Sequence, residues 1–167
     1  MADNNLHFVE LEEKTDPTGF TSDKHLVVIR GVVVGKDIPT ANGPLGDNPK
    51  HVDGETWCQD FFKGGIWKQT FKDGSLRKHY AGKDMVYNSA RDIFLHKQPF
   101  ASWSLNGDDK WEAPIPYPTI TQHGDPVREC VIYWVEEGGH WQSLFPEDPE
   151  PRALFNWDPV GLTWVAA

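Results

Sequence analysis

Hydrophobic and polar positions alternate along most of this chain in short runs, and the runs break where Gly, Pro, Asn and Asp cluster. Such a pattern predicts many short strands joined by tight turns. Residues 6–12 read as a first strand, followed by a loop with Asp16-Pro17 and Gly19 as breakers. Residues 26–34 are dense in β-branched side chains and too apolar to face water on both sides, so they read as a central strand, with Gly31 marking a bulge or a close backbone approach. Residues 37–50 hold three Pro, two Gly and two Asn and read as a long irregular loop.

One stretch departs from the alternation. Trp57, Cys58, Phe61 and Phe62 recur at helical spacing, Asp53 stands where a cap is needed, Glu55 complements the positive end of the dipole, and Gly64-Gly65 offers a left-handed stop. These predict one helix near residues 53–63, with Trp57, Phe61 and Phe62 laid on the sheet. Directly after it, residues 66–72 and 75–80 flank Asp73-Gly74. That predicts a hairpin with a two-residue type I′ turn, Phe71 opposite Leu76 and Trp67 opposite Tyr80.

Further hairpins are predicted over 85–95, 103–112, 127–145 and 154–165, while Pro114, Pro116 and Pro118 hold 113–118 in polyproline-like extension. A weak repeat runs through them. Tyr87-Asn88 to Phe94, Leu105-Asn106 to Trp111 and Trp157-Asp158 to Trp164 each give a bulky residue, then Asn or Asp, then a ring six or seven positions on. This reads either as the way a tight hairpin begins or as a duplicated hairpin that presents aromatics. The fold class expected is α+β, mainly antiparallel β hairpins with one helix, arranged as a β-rich core over 1–118 and a C-terminal hairpin extension over 119–167.

Composition narrows the functional classes. The chain has 167 residues, enough for one domain or one domain with a small module, and too few for a two-lobed doubly wound enzyme. Sixteen Lys and Arg against 25 Asp and Glu leave a net charge of −9, so no broad basic face is expected and nucleic acid is not expected as a partner. Eight Trp, four Tyr and nine Phe against two Met place the apolar content in rigid rings suited to sheets and interfaces. The first fourteen residues are acidic and lack a secretory pattern, and the longest apolar run is interrupted by Arg30, so no membrane partner is expected. Cys58 and Cys130 lie far apart in the chain and are expected to be reduced, buried thiols.

Motifs for chemistry are sparse. Residues 31–36 resemble a phosphate loop but are one residue short and lack the Ser or Thr after Lys36, and no Gly-x-Ser-x-Gly elbow occurs. The seven His are scattered; His123 and Asp125 are the one close pair and read as solvated rather than metal-binding. Glu136-Glu137 could suggest a glycosidase pair, but at a Gly-Gly turn they read as a solvated loop tip. No catalytic residue, metal or cofactor is expected. Rings exposed on hairpins could stack on sugars, with core or interface packing as the plainer reading.

Four ordered motifs carry a family resemblance: Gly-Gly-x-Trp-x-Gln-Thr at 64–70, Arg-Lys-x-Tyr-Ala-Gly at 77–82, Pro-Phe-x-Ser-Trp-x-Leu-Asn at 99–106 and Trp-x-Ala-Pro-x-Pro-Tyr-Pro at 111–118, closed by the hairpin FNWDPVGLTWV. With them the chain resembles a family of small, mostly uncharacterised proteins of marine tailed phages, cyanophages and their relatives. It departs from that pattern in an extra hairpin between Pro118 and Leu154 and in a longer loop over 37–50. The resemblance implies a non-enzymatic structural protein of the virion, assembled in the host cytoplasm. It would be held to other virion proteins, major capsid or tail, and present as a homo-oligomer or symmetric multi-copy assembly. The alternatives are a glycan-binding receptor or adhesion module of the tail and, less favoured, a small hydrolase. The residues expected at its contacts are Trp103, Trp111, Tyr117, Trp134, Trp141, Trp157 and Trp164.

Overall fold

The structure, a computed structural model, describes residues 4–47 and 51–167. It is built of antiparallel β-structure with one α-helix, as the hydrophobic pattern predicts. The chain divides into two compact units, residues 1–97 and 98–167. The division falls earlier than the one expected at 118/119. Phe100, Trp103, Ala113 and Ile115, which precede Pro118, pack against Trp134, Trp141 and Trp157, so the 98–118 segment shares a core with the hairpins after it.

In the first unit, β1 (Asn5–Thr15) and β2 (Lys24–Gly35) form a long antiparallel pair, followed by the small hairpin β3 (Pro39–Thr40) and β4 (Gly43–Pro44) and by α1 (His51–Phe61). The strands β5 (Ile66–Thr70), β6 (Val86–Asn88) and β7 (Ile93–Leu95) complete a sheet of order β5-β1-β2-β6-β7. β1 is apolar on both sides because each face of the sheet has its own core. Leu6 and Phe8 join Val34, Leu45, Cys58 and Trp67 beneath α1, whereas Val9 and Leu11 join Val28, Met85, Tyr87 and Phe94 on the other face. A bulge interrupts the β1–β2 register: Glu10 pairs with Arg30 but Leu11 with Val28. The residue passed over is Ile29, so the bulge lies beside Gly31 and not at it.

The helix begins at His51, which puts Asp53 inside the first turn; the residues preceding it lie outside those described. Its C-terminus closes as a Schellman turn, with the Gly64 N–H on the Gln59 carbonyl at 2.8 Å and the Lys63 N–H on that of Asp60 at 3.4 Å. Lys63 itself takes the left-handed position at φ 63°, where the sequence offered Gly64-Gly65. Trp57 and Phe62 pack on the core, but Phe61 is 62% exposed, contrary to expectation. The helix meets the sheet through Cys58 and through Gly54, where a Cβ would come 2.2 Å from the Phe8 ring. That close approach rotates Phe61 outward onto Trp57, with which it stacks at 4.8 Å.

The hairpin expected over 66–80 does not form. β5 ends at Thr70 and pairs with β1, Trp67 standing opposite Glu10 rather than Tyr80. A turn at Asp73-Gly74 exists, with Gly74 at φ 72° and its N–H on the Phe71 carbonyl at 3.0 Å, but no return strand follows. The reason is that side chains occupy the outer edge of β5. Glu55 accepts the Gln69 N–H at 2.9 Å, Arg77 donates to the Gln69 carbonyl at 2.9 Å, and the Thr70 hydroxyl binds the His79 carbonyl and the Ala81 N–H.

The second unit contains β8 (Ser104–Leu105), β9 (Trp111–Glu112), β10 (Gln122–His123), β11 (Arg128–Glu129), β12 (Val131–Val135), β13 (His140–Leu144), β14 (Leu154–Asp158) and β15 (Thr163–Ala166). The last four make one meander in chain order, and β8–β9 and β10–β11 are two-stranded ribbons. The sequence repeat marks three real hairpins. Tyr87 pairs with Phe94, Leu105 with Trp111 and Trp157 with Trp164, and in each the Asn or Asp side chain accepts a backbone N–H of the turn, from Arg91, Asp108 and Val160 respectively. The plainer reading of the repeat therefore holds: the polar residue folds the turn, and the rings register the strands.

Candidate functional site

The seven aromatic residues expected at contacts fall into three environments. Trp134, Trp141 and Trp157 are core, between 5 and 6% exposed, which corrects their assignment as contact residues. Trp103, Trp111 and Trp164 are half-buried, Trp103 and Trp164 packing on that core from outside. Tyr117 is 55% exposed, its ring edge-on to Trp141 at 5.0 Å.

Polar atoms anchor these rings. Trp141 donates to the Ile115 carbonyl at 2.9 Å and Trp164 to that of Ile120 at 2.8 Å, so the Pro-rich segment is held down by indole N–H groups. Glu136 accepts from Trp134 Nε1 at 2.8 Å and from the backbone N–H and hydroxyl of Ser102 at 2.8 and 2.7 Å. Those donors hold its carboxyl below the usual range. Glu136 and Glu137 are exposed at the turn, as the sequence reading expected, and Glu136 in addition ties Ser102 to the β12–β13 hairpin. Trp103 meets Trp141 at 5.8 Å and Trp134 at 6.4 Å, completing an edge-to-face cluster of three indoles.

His123 is not the solvated residue its loop position suggested. Its ring lies against Phe145, Phe155 and Trp164 at 4.7, 4.9 and 5.2 Å, and Nε2 lies 2.8 Å from the hydroxyl of the fully buried Ser143. Burial first, and then Arg128, push its pKa below the ordinary value. Arg128 lies 3.9 Å over the Phe145 ring and pairs with both oxygens of Asp148 at 2.5 and 3.0 Å. The β10–β11 ribbon is thus fastened to the meander by one ring and one guanidinium.

The first unit holds a charge cluster that no motif announced, buried at Arg77 and Glu55 and open to solvent at Asp92. The Arg77 side chain is 2% exposed and donates to Glu55 and to Asp92, each at 2.6 Å, while Lys68 reaches Glu55 at 3.1 Å and the Tyr87 hydroxyl binds Asp92. Burial opposes the charge on Arg77, and the two carboxylates outweigh it and raise its pKa; Tyr87 is pushed up to about 12 by burial and by its bond to Asp92. Each member is engaged by another, so the cluster's chemistry is spent on holding α1, β5 and β6–β7 together. Cys58 lies nearby in the helix, fully buried, its thiol pushed up to about 12 by burial. Cys130 is half-buried and also unpaired with any sulfur.

Among the described residues no group of three or more His, Cys, Asp and Glu side chains is gathered as for a metal ion, and no helix is long and apolar enough to cross a membrane. The exposed apolar side chains are mostly aliphatic. In the second unit Val131 and Leu154 flank Leu144 across β12–β13–β14, and Val165 lies beside Asn156, so one face of the meander carries this row next to the Tyr133–Gln142–Asn156 hydrogen-bond ladder. Sequence reading passed over these residues because it looked to Trp. Their signal was the alternation itself: Leu154 and Val165 stand one position from Phe155 and Trp164, which point the other way, and Val131 alternates with Ile132.

No protein-family model, curated protein or solved structure matches this chain.

Proposed function

We propose that this protein is a non-enzymatic structural component of a tailed-phage particle, bound to capsid or tail through protein contacts and present in many copies. The observation that carries the reading is the division of labour between the two faces of the second unit's meander. Cross-strand ring pairs lock one face, and Val131, Leu144, Leu154 and Val165 offer the other as a firm, mixed apolar and hydrogen-bonding surface. A rigid surface of that kind loses little conformational entropy on docking. The motif resemblance over 64–118 and the closing hairpin supplies the setting of a phage particle.

A glycan-stacking role asks for ring faces open to solvent. Of the seven rings offered, three are core, three are half-buried and Tyr117 is mostly exposed, which supports packing over sugar binding. The test is the protein content of purified particles. A fixed copy number is expected, hundreds for a capsid decoration or six or twelve for a tail or neck ring. Absence from purified particles rejects the reading, and saturable binding on a glycan array together with that absence favours adhesion.

A further inference from the structure

Among the described residues, the sheet of the first unit leaves a stretch of β2 open at its edge. β6 pairs with β2 at Leu26 and Val27, and residues 84 and 85 continue alongside as far as Val28. There the Val28 N–H binds the Met85 carbonyl and the Val28 carbonyl takes the Asp84 N–H, each at 2.9 Å. From residue 29 to its end at Gly35, β2 runs past the last of these neighbours, and the chain then turns at Lys36 and Asp37.

The phase of the ladder decides which backbone groups face that edge. The Lys36 N–H binds the Asn4 carbonyl at 3.2 Å, so Lys36 faces β1. Bonding direction alternates residue by residue, so Val34, Val32 and Arg30 also face β1, while Gly31 and Val33 turn their N–H and C=O groups outward. The far side of β1 agrees. Gln69 bonds away from β1, to Glu55 and Arg77, which leaves Phe8, its partner in register, bonded to Val32 on β2. Gly31 and Val33 are both exposed, Val33 at 60%.

Elsewhere the sheet blunts its edges. Glu55 and Arg77 cap Gln69 on β5, the Arg77 carbonyl takes the Phe94 N–H on β7, and the part of β1 beyond β5 carries Glu12, Glu13 and Lys14. On β2 the charge that could do the same is turned away. Arg30 pairs with Glu10 on β1 and lies 4.8 Å over the Phe62 ring and 5.2 Å over that of Trp67 on β5, so its side chain leans across the sheet, away from the open edge.

From this edge we propose that two copies of the chain pair β2 against β2, antiparallel about a two-fold axis, so that two sheets become one. The inference rests on the multi-copy reading above and names one contact. A second copy is the fitting occupant because the open stretch is complementary to itself. Its midpoint is Val32, and a two-fold placed there sets Gly31 opposite the partner's Val33 and Val33 opposite the partner's Gly31. Both pairs join outward-facing residues, so each exchanges two N–H···O=C bonds. Each Val33 side chain then lies beside a glycine, whose Cβ position has no atom nearer than 3.7 Å, and each Arg30 stands opposite a Val34 rather than another Arg30.

Amide hydrogen exchange of the full chain, read residue by residue in dilute and concentrated samples, tests the contact. The Gly31 and Val33 N–H groups should slow at least about tenfold on concentration, and those of Val32 and Val34, already bonded to β1, should change far less. Val33→Pro removes an outward donor and no bond to β1, so it should keep the thermal midpoint of the parent and sediment as a monomer where the parent self-associates. If that variant fails to fold, Val33→Lys, which keeps the backbone and sets a charge on the edge, takes its place. Register is read by crosslinking in a Cys130→Ser background. Val32→Cys should close an intermolecular disulfide under mild oxidation and Val33→Cys should not, because residue 32 is the one that meets its own copy across the two-fold.

A parent whose sedimentation shows no dependence on concentration up to its solubility limit, a Val33→Pro chain that still associates, or crosslinking through residue 33 in place of 32 overturns the proposal. So does protection of Gly31 and Val33 that appears only when another virion protein is added, which would give the edge to a foreign strand. Particles that hold many copies of a chain that is monomeric in solution would leave the structural reading standing and remove this contact, whereas a β2-paired dimer absent from purified particles would keep the contact and reject that reading.

Discussion

Trp134 stands directly opposite Trp141 across the β12–β13 hairpin, their ring centroids 5.3 Å apart at 72°, and each indole N–H is taken by an oxygen, that of Glu136 two residues on for the first and the distant Ile115 carbonyl for the second. The pair is a staple of the second unit's core rather than a surface for a partner. Trp141→Ala is therefore expected to cost about 3–5 kcal/mol in chemical denaturation, as a large core truncation does. Trp141→Phe should cost less while losing the bond to Ile115. Unchanged unfolding of the Ala variant would return Trp141 to the surface.

Arg77 gives a sharper test in the first unit, because its removal strands two carboxylates that it neutralises. Glu55 would keep Lys68 and the Gln69 N–H, but Asp92 would lose its guanidinium partner, and the Gln69 carbonyl would lose its donor. The Asp92 side chain is 54% exposed and water can take over its lost bond, so the cost falls on Glu55 and on the buried Gln69 carbonyl and is expected at about 1–3 kcal/mol. Arg77→Met should show that loss in the denaturation midpoint. Arg77→Lys should recover little, since one ammonium cannot reach Glu55, Asp92 and the Gln69 carbonyl in the planar fork that Arg supplies.

How much of this was legible in the sequence differs from element to element. The Asn88, Asn106 and Asp158 hairpins were readable because turn chemistry and strand register are both local, written within eight residues of each other. The 66–80 hairpin was misread because its local signal was outvoted by distant groups: Glu55, fourteen residues before Gln69, and Arg77, eight after it, take the hydrogen bonds that a return strand would have made. Phe61 was misread for a similar reason. Its helical spacing is right for the core, but Gly54 sets which side of α1 meets Phe8, and no periodicity reports a close approach. Sorting core Trp from half-buried Trp needed the meander's pairing, which spans residues from 131 to 166.

That geometry makes paired predictions for α1. Phe61→Ala should cost less than about 1 kcal/mol, the usual range for an exposed position. Gly54→Ala, which in an ordinary helix stabilises by about 0.5–1 kcal/mol, should here destabilise by about 1–3 kcal/mol, because the added methyl would stand 2.2 Å from the Phe8 ring. Equilibrium unfolding of the two variants side by side checks both signs. Stabilisation by Gly54→Ala would mean that the helix sits farther from β1 than the packing of Cys58 and Phe8 implies.

His123 makes the second unit sensitive to acid. Burial among Phe145, Phe155 and Trp164, and then the Arg128 guanidinium, disfavour its protonated form, so its pKa in the folded chain lies below the ordinary value that the unfolded chain retains. The unfolded state then takes up a proton first as pH falls. Stability from this residue is complete above the unfolded pKa of about 6.5, declines as pH drops through it, and levels off below the folded pKa. His79 is shifted in the same direction by burial, His96 and Lys78, so the wild-type chain alone cannot separate the two. His123→Phe keeps a ring among the aromatics and removes the proton, and it should flatten the part of the Tm profile between pH 7.5 and pH 5 that His123 contributes, at the expense of the bond to Ser143. A variant whose Tm falls as steeply as the wild type over that interval would show that the ring of His123 is open to water and that the β10–β11 ribbon is held by Arg128 and Asp148 alone.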